Sequence, residues 1–172
     1  VFLAMWNKKP KSELLKLIEE YKSQYEDFAW RVYLNMAIIR NYDREIISIL
    51  LDKSGTGKKE SFYEIGSPLD VAVNNPDILE FLLKEKQLDP NQQNSFGKTA
   101  IFGAIQENNI KAVETLLKYG AKINTQTLLL TGWQVEQFQL SAYQRTPLIY
   151  AAWQSDLKMI EFLIKNSAAV NS

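Results

Sequence analysis

The sequence predicts an all-α fold, a solenoid of about four helix-turn-helix units, and three observations predict it. First, positions recur: Thr99 and Thr146, Ala104 and Ala151, Leu116 and Leu163, and Asn124 and Asn171 each stand 47 residues apart. Second, an earlier copy lies upstream, with Ala72 to Ala104 spanning 32 residues, Leu83 to Leu117 34 and Asn91 to Asn124 33. Third, neither helix of a copy is long enough to be stable alone in water, so burial against the next copy must supply most of its stability. The excess of 47 over a period of about 33 leaves about 14 extra residues between Asn124 and Thr146.

The clearest unit runs from Gly97 to Asn124, and each part of it has a backbone role. Thr99 is placed to cap a first helix by accepting from the orphan N–H groups of its first turn. The copies put Ser67 and Thr146 there, followed by Pro68 and Pro147, which suit the first helical position. Gly103 and Ala104, with Ala72 and Ala151 in the copies, let helices of neighbouring units approach closely. Asn108 and Asn109 make a polar turn, and a second helix ends in Leu116 and Leu117. Gly120 then falls where a helix end takes a left-handed residue. In this order and period the chain resembles the ankyrin-repeat family.

Taken in order, residues 1–30 form an N-terminal apolar and basic segment with a capping helix, and residues 31–172 form the repeat domain. The run Val1–Trp6 and the basic stretch after it are far too short to span a bilayer. They fit either the tail of a cleaved signal or anchor segment, or a few apolar residues docked on the first helix. A helix starts at Ser12 and Glu13, and Leu14, Ile18, Tyr21, Tyr25 and Phe28 recur as one apolar face.

The repeats fall at about 31–61, 62–94, 95–126 and 142–172. The first keeps the apolar spacing in Leu34, Ala37, Ile38, Ile46, Ile47, Leu50 and Leu51 but loses the Thr-Pro cap. Ser54 to Lys59 is reminiscent of a phosphate-binding loop, yet Lys59 stands where Ser or Thr is needed and Asp52 where Gly is needed, so it reads as a solvated turn. The insertion, about 127–141, carries Leu128, Trp133, Val135, Phe138 and Leu140. It is too apolar for a spacer; a projecting loop or hairpin fits its partial alternation, and a short helix folding back on the stack is the alternative.

The 20 basic and 20 acidic side chains balance, which gives no ground for a nucleic-acid or anionic-membrane partner. Absence of Cys and His removes thiol nucleophiles, Cys/His zinc sites, Ser-His-Asp triads and imidazole acid–base chemistry. No carboxylates or lysines cluster into a catalytic motif either. No catalytic residue, cofactor, metal or small-molecule substrate is therefore assigned. A membrane would be reached only through a missing N-terminal anchor, and a soluble, cytoplasmic protein is favoured over an exported or tethered one.

The resemblance implies a protein-binding module that holds or blocks a partner protein through hairpin tips and the exposed side of each first helix. Carried onto this chain, that surface comprises Tyr63, Glu64, Asn74 and Asn75, then Ser95, Phe96, Lys98, Phe102, Gln106 and Glu107, then Tyr143, Arg145, Trp153 and Gln154, with Trp133 and Phe138 added by the insertion. Trp153 is the anchor candidate, since Trp, Tyr and Arg dominate interface energetics. The slot where the family usually has His holds Asp70, Phe102 and Ile149, so the hydrogen bonds of that His are expected to be absent. Two narrower alternatives are a neutralising, immunity-type partner of a bacterial toxin enzyme and a structural segment of a larger repeat protein.

Overall fold

The structure is a computed structural model that describes residues 1–21, 26–55, 67–94, 96–128 and 144–170, with 26 and 27 described in backbone only. Among the described residues the regular structure is helical, and the chain divides into two compact units, Val1–Glu60 and Ser61–Ser172.

In the first unit, α1 (Phe2–Trp6) packs on α3 (Glu26–Ile39), and α3 packs on α4 (Arg44–Lys53). The N-terminal apolar run thus docks on the helices that follow it: Met5 is buried, the Tyr42 hydroxyl donates to its carbonyl at 2.7 Å, and Arg40 donates to the Trp6 carbonyl at 3.1 Å. Between them, α2 (Lys11–Glu20) buries Leu14 and Ile18, and Lys11 at its start pairs with Asp43 and Glu45 at the start of α4. The apolar face expected to continue through Tyr21 and Phe28 on one helix does not. Tyr21 has extended backbone (φ −70°, ψ 123°), and its ring turns onto Trp30 and Tyr33 edge-on, with centroids 5.1 and 5.6 Å away. Burial and the Tyr21 hydroxyl push the Tyr33 phenol up to about 12. Phe28 lies on α3 and is 57% exposed, and Tyr25 lies outside the described residues. The spacing of the degenerate repeat does mark its core, since Leu34, Ala37, Ile38, Ile46, Ile47, Leu50 and Leu51 are all buried.

The second unit holds three helix pairs among its described residues: α5 (Pro68–Ala72) with α6 (Pro76–Lys84), α7 (Ala100–Gln106) with α8 (Ile110–Lys118), and α9 (Pro147–Gln154) with α10 (Leu157–Lys165). First helices pack in a row, α7 against both α5 and α9, and α6 packs on α8. Ala72, Ala104 and Ala151 are all buried on that row, as the need for close helix approach requires. Leu69, Leu79, Leu82, Ile101, Ile105, Val113, Leu116, Met159 and Leu163 are among the buried side chains of the core. Leu117 and Leu148 are only half-buried.

Helix starts follow one chemistry. Asn75, Asn109 and Asp156 each accept from the backbone N–H three residues on, at 3.3, 3.1 and 3.0 Å, which satisfies an orphan donor of every second helix. Ser67 and Thr146 cap first helices in the same way, accepting from Asp70 at 3.2 Å and Ile149 at 3.3 Å. Thr99 stands at the corresponding position, but its side chain makes no capping hydrogen bond.

A recurring amide clamp then joins unit to unit. Asn91 Nδ2 donates to the Gly120 carbonyl at 2.9 Å while its Oδ1 accepts from Lys122 N–H at 2.8 Å. Asn124 repeats both bonds, to the Ser167 carbonyl at 3.3 Å and from Ala169 N–H at 2.8 Å. Gly120 (φ +91°) and Ser167 (φ +69°) both take the left-handed conformation that turns these carbonyls toward the preceding unit. The repeated Asn of the sequence is thus a structural bridge.

Candidate functional site

The surface expected to bind a partner is built from the turn before α7 upward. Asn94 closes that turn: its Oδ1 accepts from Phe96 N–H at 2.9 Å and Lys98 N–H at 3.0 Å, and its carbonyl accepts from Gly97 N–H at 2.9 Å. Gly97 has φ +72°, and a Cβ there would stand 2.5 Å from the Leu128 nitrogen, so this position admits no side chain. The space is used: Leu128 N–H donates to the Phe96 carbonyl at 2.9 Å, and Thr127 N–H donates to the Arg145 carbonyl at 3.0 Å. Thr127 Oγ1 in turn accepts from Arg145 N–H at 3.0 Å. The start of the insertion is therefore laced between the turns that carry Lys98 and Arg145, and both side chains emerge from a fixed backbone.

Above these turns, α7 and α9 present their first-helix sides. Tyr150 of α9 is the hub, and the sequence reading missed it. Its hydroxyl donates to Gln106 Oε1 at 3.0 Å and accepts from Lys98 Nζ at 3.2 Å, while the ammonium lies 4.6 Å from the ring centroid. Phe102 meets the same ring edge-on at 5.4 Å and is 1% exposed, so it supports the surface from behind and is not presented to a partner. Gln106 and Glu107 stay exposed but are engaged across units, Gln106 with Tyr150 and Glu107 Oε2 accepting from Asn74 Nδ2 at 2.9 Å. Phe96 is half-buried.

Asp70 occupies the slot of the expected missing hydrogen bonds and restores one of its own. Its carboxylate accepts from Ser67 N–H at 2.9 Å, closing a reciprocal capping box. Gly103 of α7 faces it, and a Cβ there would make ordinary van der Waals contact with Asp70 Oδ1 at 3.4 Å. Burial raises the Asp70 carboxyl above its ordinary value, against the pull of the Ser67 bonds and the Lys98 charge.

Trp153, one turn after Ile149 on α9, is 69% exposed, and the Arg145 guanidinium lies over its ring at 4.4 Å from the centroid. Gln154 beside it is exposed. Trp133, Phe138, Tyr143, Tyr63, Glu64 and Ser95 lie outside the described residues, as do Thr56 to Lys59 of the loop weighed against phosphate binding. Among the described residues no group of His, Cys, Asp and Glu could hold a metal, and no helix is long and apolar enough to cross a membrane.

The profile of ankyrin repeats (3 copies) matches residues 34–127 and 89–172. The chain belongs to the ankyrin-repeat family. Over 91 residues it is also 32% identical to the transient receptor potential cation channel subfamily A member 1 of Homo sapiens, a stretch that is 52% of this chain and 8% of that protein. Ankyrin repeats are generally protein–protein interaction modules and are typically non-enzymatic. In ankyrin terms, Lys98 and Arg145 sit in successive connecting turns, and Gln106 and Trp153 at equivalent points of successive first helices.

Proposed function

We propose that this chain holds or blocks a partner protein through the strip formed by Lys98, Gln106, Arg145, Trp153 and Gln154. The carrying observation is Trp153, a large aromatic left 69% exposed on a first helix with the Arg145 guanidinium over its ring. A stacked guanidinium fixes the indole before binding, which lowers the ordering cost of using it as an anchor. The insertion leaves at Leu128 and returns at Gln144, beside Arg145, which supports adding Trp133, Phe138 and Tyr143 to the same contact area.

The test is a titration of the intact chain and its Trp153→Ala variant against the protein that co-purifies with it from its source cells. Losing a central anchor costs about 2 kcal/mol or more, roughly a thirtyfold loss of affinity. The variant should keep its thermal midpoint, because Trp153 is 69% exposed. Equal affinity of the two proteins would move the binding site off this strip.

A further inference from the structure

We propose that this strip selects an acidic segment: a partner Asp or Glu carboxylate seated on Arg145 and Lys98, with an adjacent apolar side chain on Trp153 and Ile149. The inference rests on the binding role proposed above and adds the chemistry of the partner.

Charge placement carries it. The first helices α7 (Ala100–Gln106) and α9 (Pro147–Gln154) contain no ionisable acid or base other than the Tyr150 phenol, so the charge of this face comes from the residues that flank them. At their starts stand two cations, Lys98 and Arg145. At their ends stand two acids, and both are occupied: Glu107 accepts from Asn74, and Asp156 caps α10 and is held below its ordinary value first by a hydrogen bond from Asn108. The Lys98 charge reaches the Asp70 carboxyl, which is committed to the capping box with Ser67.

Arg145 is half-buried and, among the described residues, forms no ion pair; its guanidinium carbon lies 4.4 Å from the Trp153 ring centroid. A guanidinium held over an aromatic face can still offer its edge donors to a planar, bidentate acceptor, which is the geometry of a carboxylate. Lys98 keeps two further N–H donors beyond the one given to Tyr150. Ile149, 38% exposed and one turn before Trp153, extends the apolar footing beside this pair of cations. Cations at the turn end and an exposed indole and isoleucine along the helix therefore favour a segment that joins one acid to one apolar residue.

The experiment pans a randomised displayed peptide library on the intact chain and measures the enriched peptides as synthetic probes against four proteins: unchanged, Arg145→Glu, Lys98→Glu and Trp153→Ala. The expected peptides place Asp or Glu within two or three residues of an apolar side chain. They should bind about tenfold or more weakly to Arg145→Glu, weaken with added salt, and recover on Arg145→Glu when their acid is exchanged for Lys. Melting curves establish that each variant is folded. Peptides without acidic bias, or equal binding to Arg145→Glu and Lys98→Glu, would overturn the acidic selection. If Trp153→Ala alone abolishes that binding, the strip itself stands. Binding untouched by all three substitutions, or no peptide enriched over Trp153→Ala, would overturn both.

Discussion

Replacing Leu116 by Ala tests the packing of the second unit more sharply than any surface change. Leu116 is 0% exposed on α8, and Leu82 and Leu163, at the matching places in the neighbouring pairs, are equally enclosed. Truncation removes its transfer free energy and leaves a cavity between helices that cannot collapse freely, for a cost of about 2–5 kcal/mol. Leu117 is the necessary control. Its column loses cover along the chain, from buried Leu83 through half-buried Leu117 to exposed Ile164, so Leu117→Ala opens to solvent and should cost about 1–2 kcal/mol. In urea, with a slope of about 1–3 kcal/mol/M, Leu116→Ala should lower the midpoint by roughly 1 M or more, and Leu117→Ala by clearly less. A Leu117→Ala midpoint at or below that of Leu116→Ala would refute the packing described for α8.

Gly97→Ala should destabilise the turn before α7 by several kcal/mol, since it combines a positive φ with a 2.5 Å approach to the Leu128 backbone; an unchanged melting temperature would contradict the lacing of Leu128 to Phe96. Asp70→Asn keeps an oxygen to accept from Ser67 and removes the charge. Because the folded-state value of Asp70 is raised, the native chain binds more protons than the unfolded one just above the ordinary value of 3.8. Wild-type stability should therefore fall relative to Asp70→Asn as pH rises through that window and stay level above it, and a difference that moves the other way would refute the burial argument. Replacing residues 129–143 with a short Gly-rich link, keeping Thr127 and Leu128, should shift stability by no more than about 1 kcal/mol. Cutting back into Thr127 should cost more, because Thr127 is buried and doubly bonded to Arg145; failure of the first variant to fold would make the insertion part of the core.

Much of the fold was legible because repetition exposes roles. The 47-residue offset picked out Ala104 with Ala151 and Leu116 with Leu163, and each pair is buried in equivalent helices. Periodicity carried less where backbone direction changes. The stripe from Leu14 to Phe28 runs straight through the extended Tyr21, whose ring packs edge-on against Trp30 and Tyr33. Hydroxyl caps were readable at Ser67 and Thr146, but at Thr99 the turn is organised by Asn94, five residues upstream, and no spacing rule points there. On the candidate surface, Trp153 and Arg145 were named from position alone. Their mutual stacking, and the convergence of Lys98, Gln106 and Phe102 on Tyr150, depend on which unit stands beside which, and that information is not local in sequence.

The central claim, that the strip around Trp153 is where a partner protein docks, is met most directly by placing a photo-crosslinking amino acid at exposed Gln154 and, separately, at exposed Glu161 on α10. After illumination in the source cells, one discrete protein adduct is expected at Gln154, lost when Trp153→Ala and Arg145→Glu are added, and no such adduct at Glu161. An adduct that forms equally at Glu161, or that survives at Gln154 with both substitutions present, would contradict it.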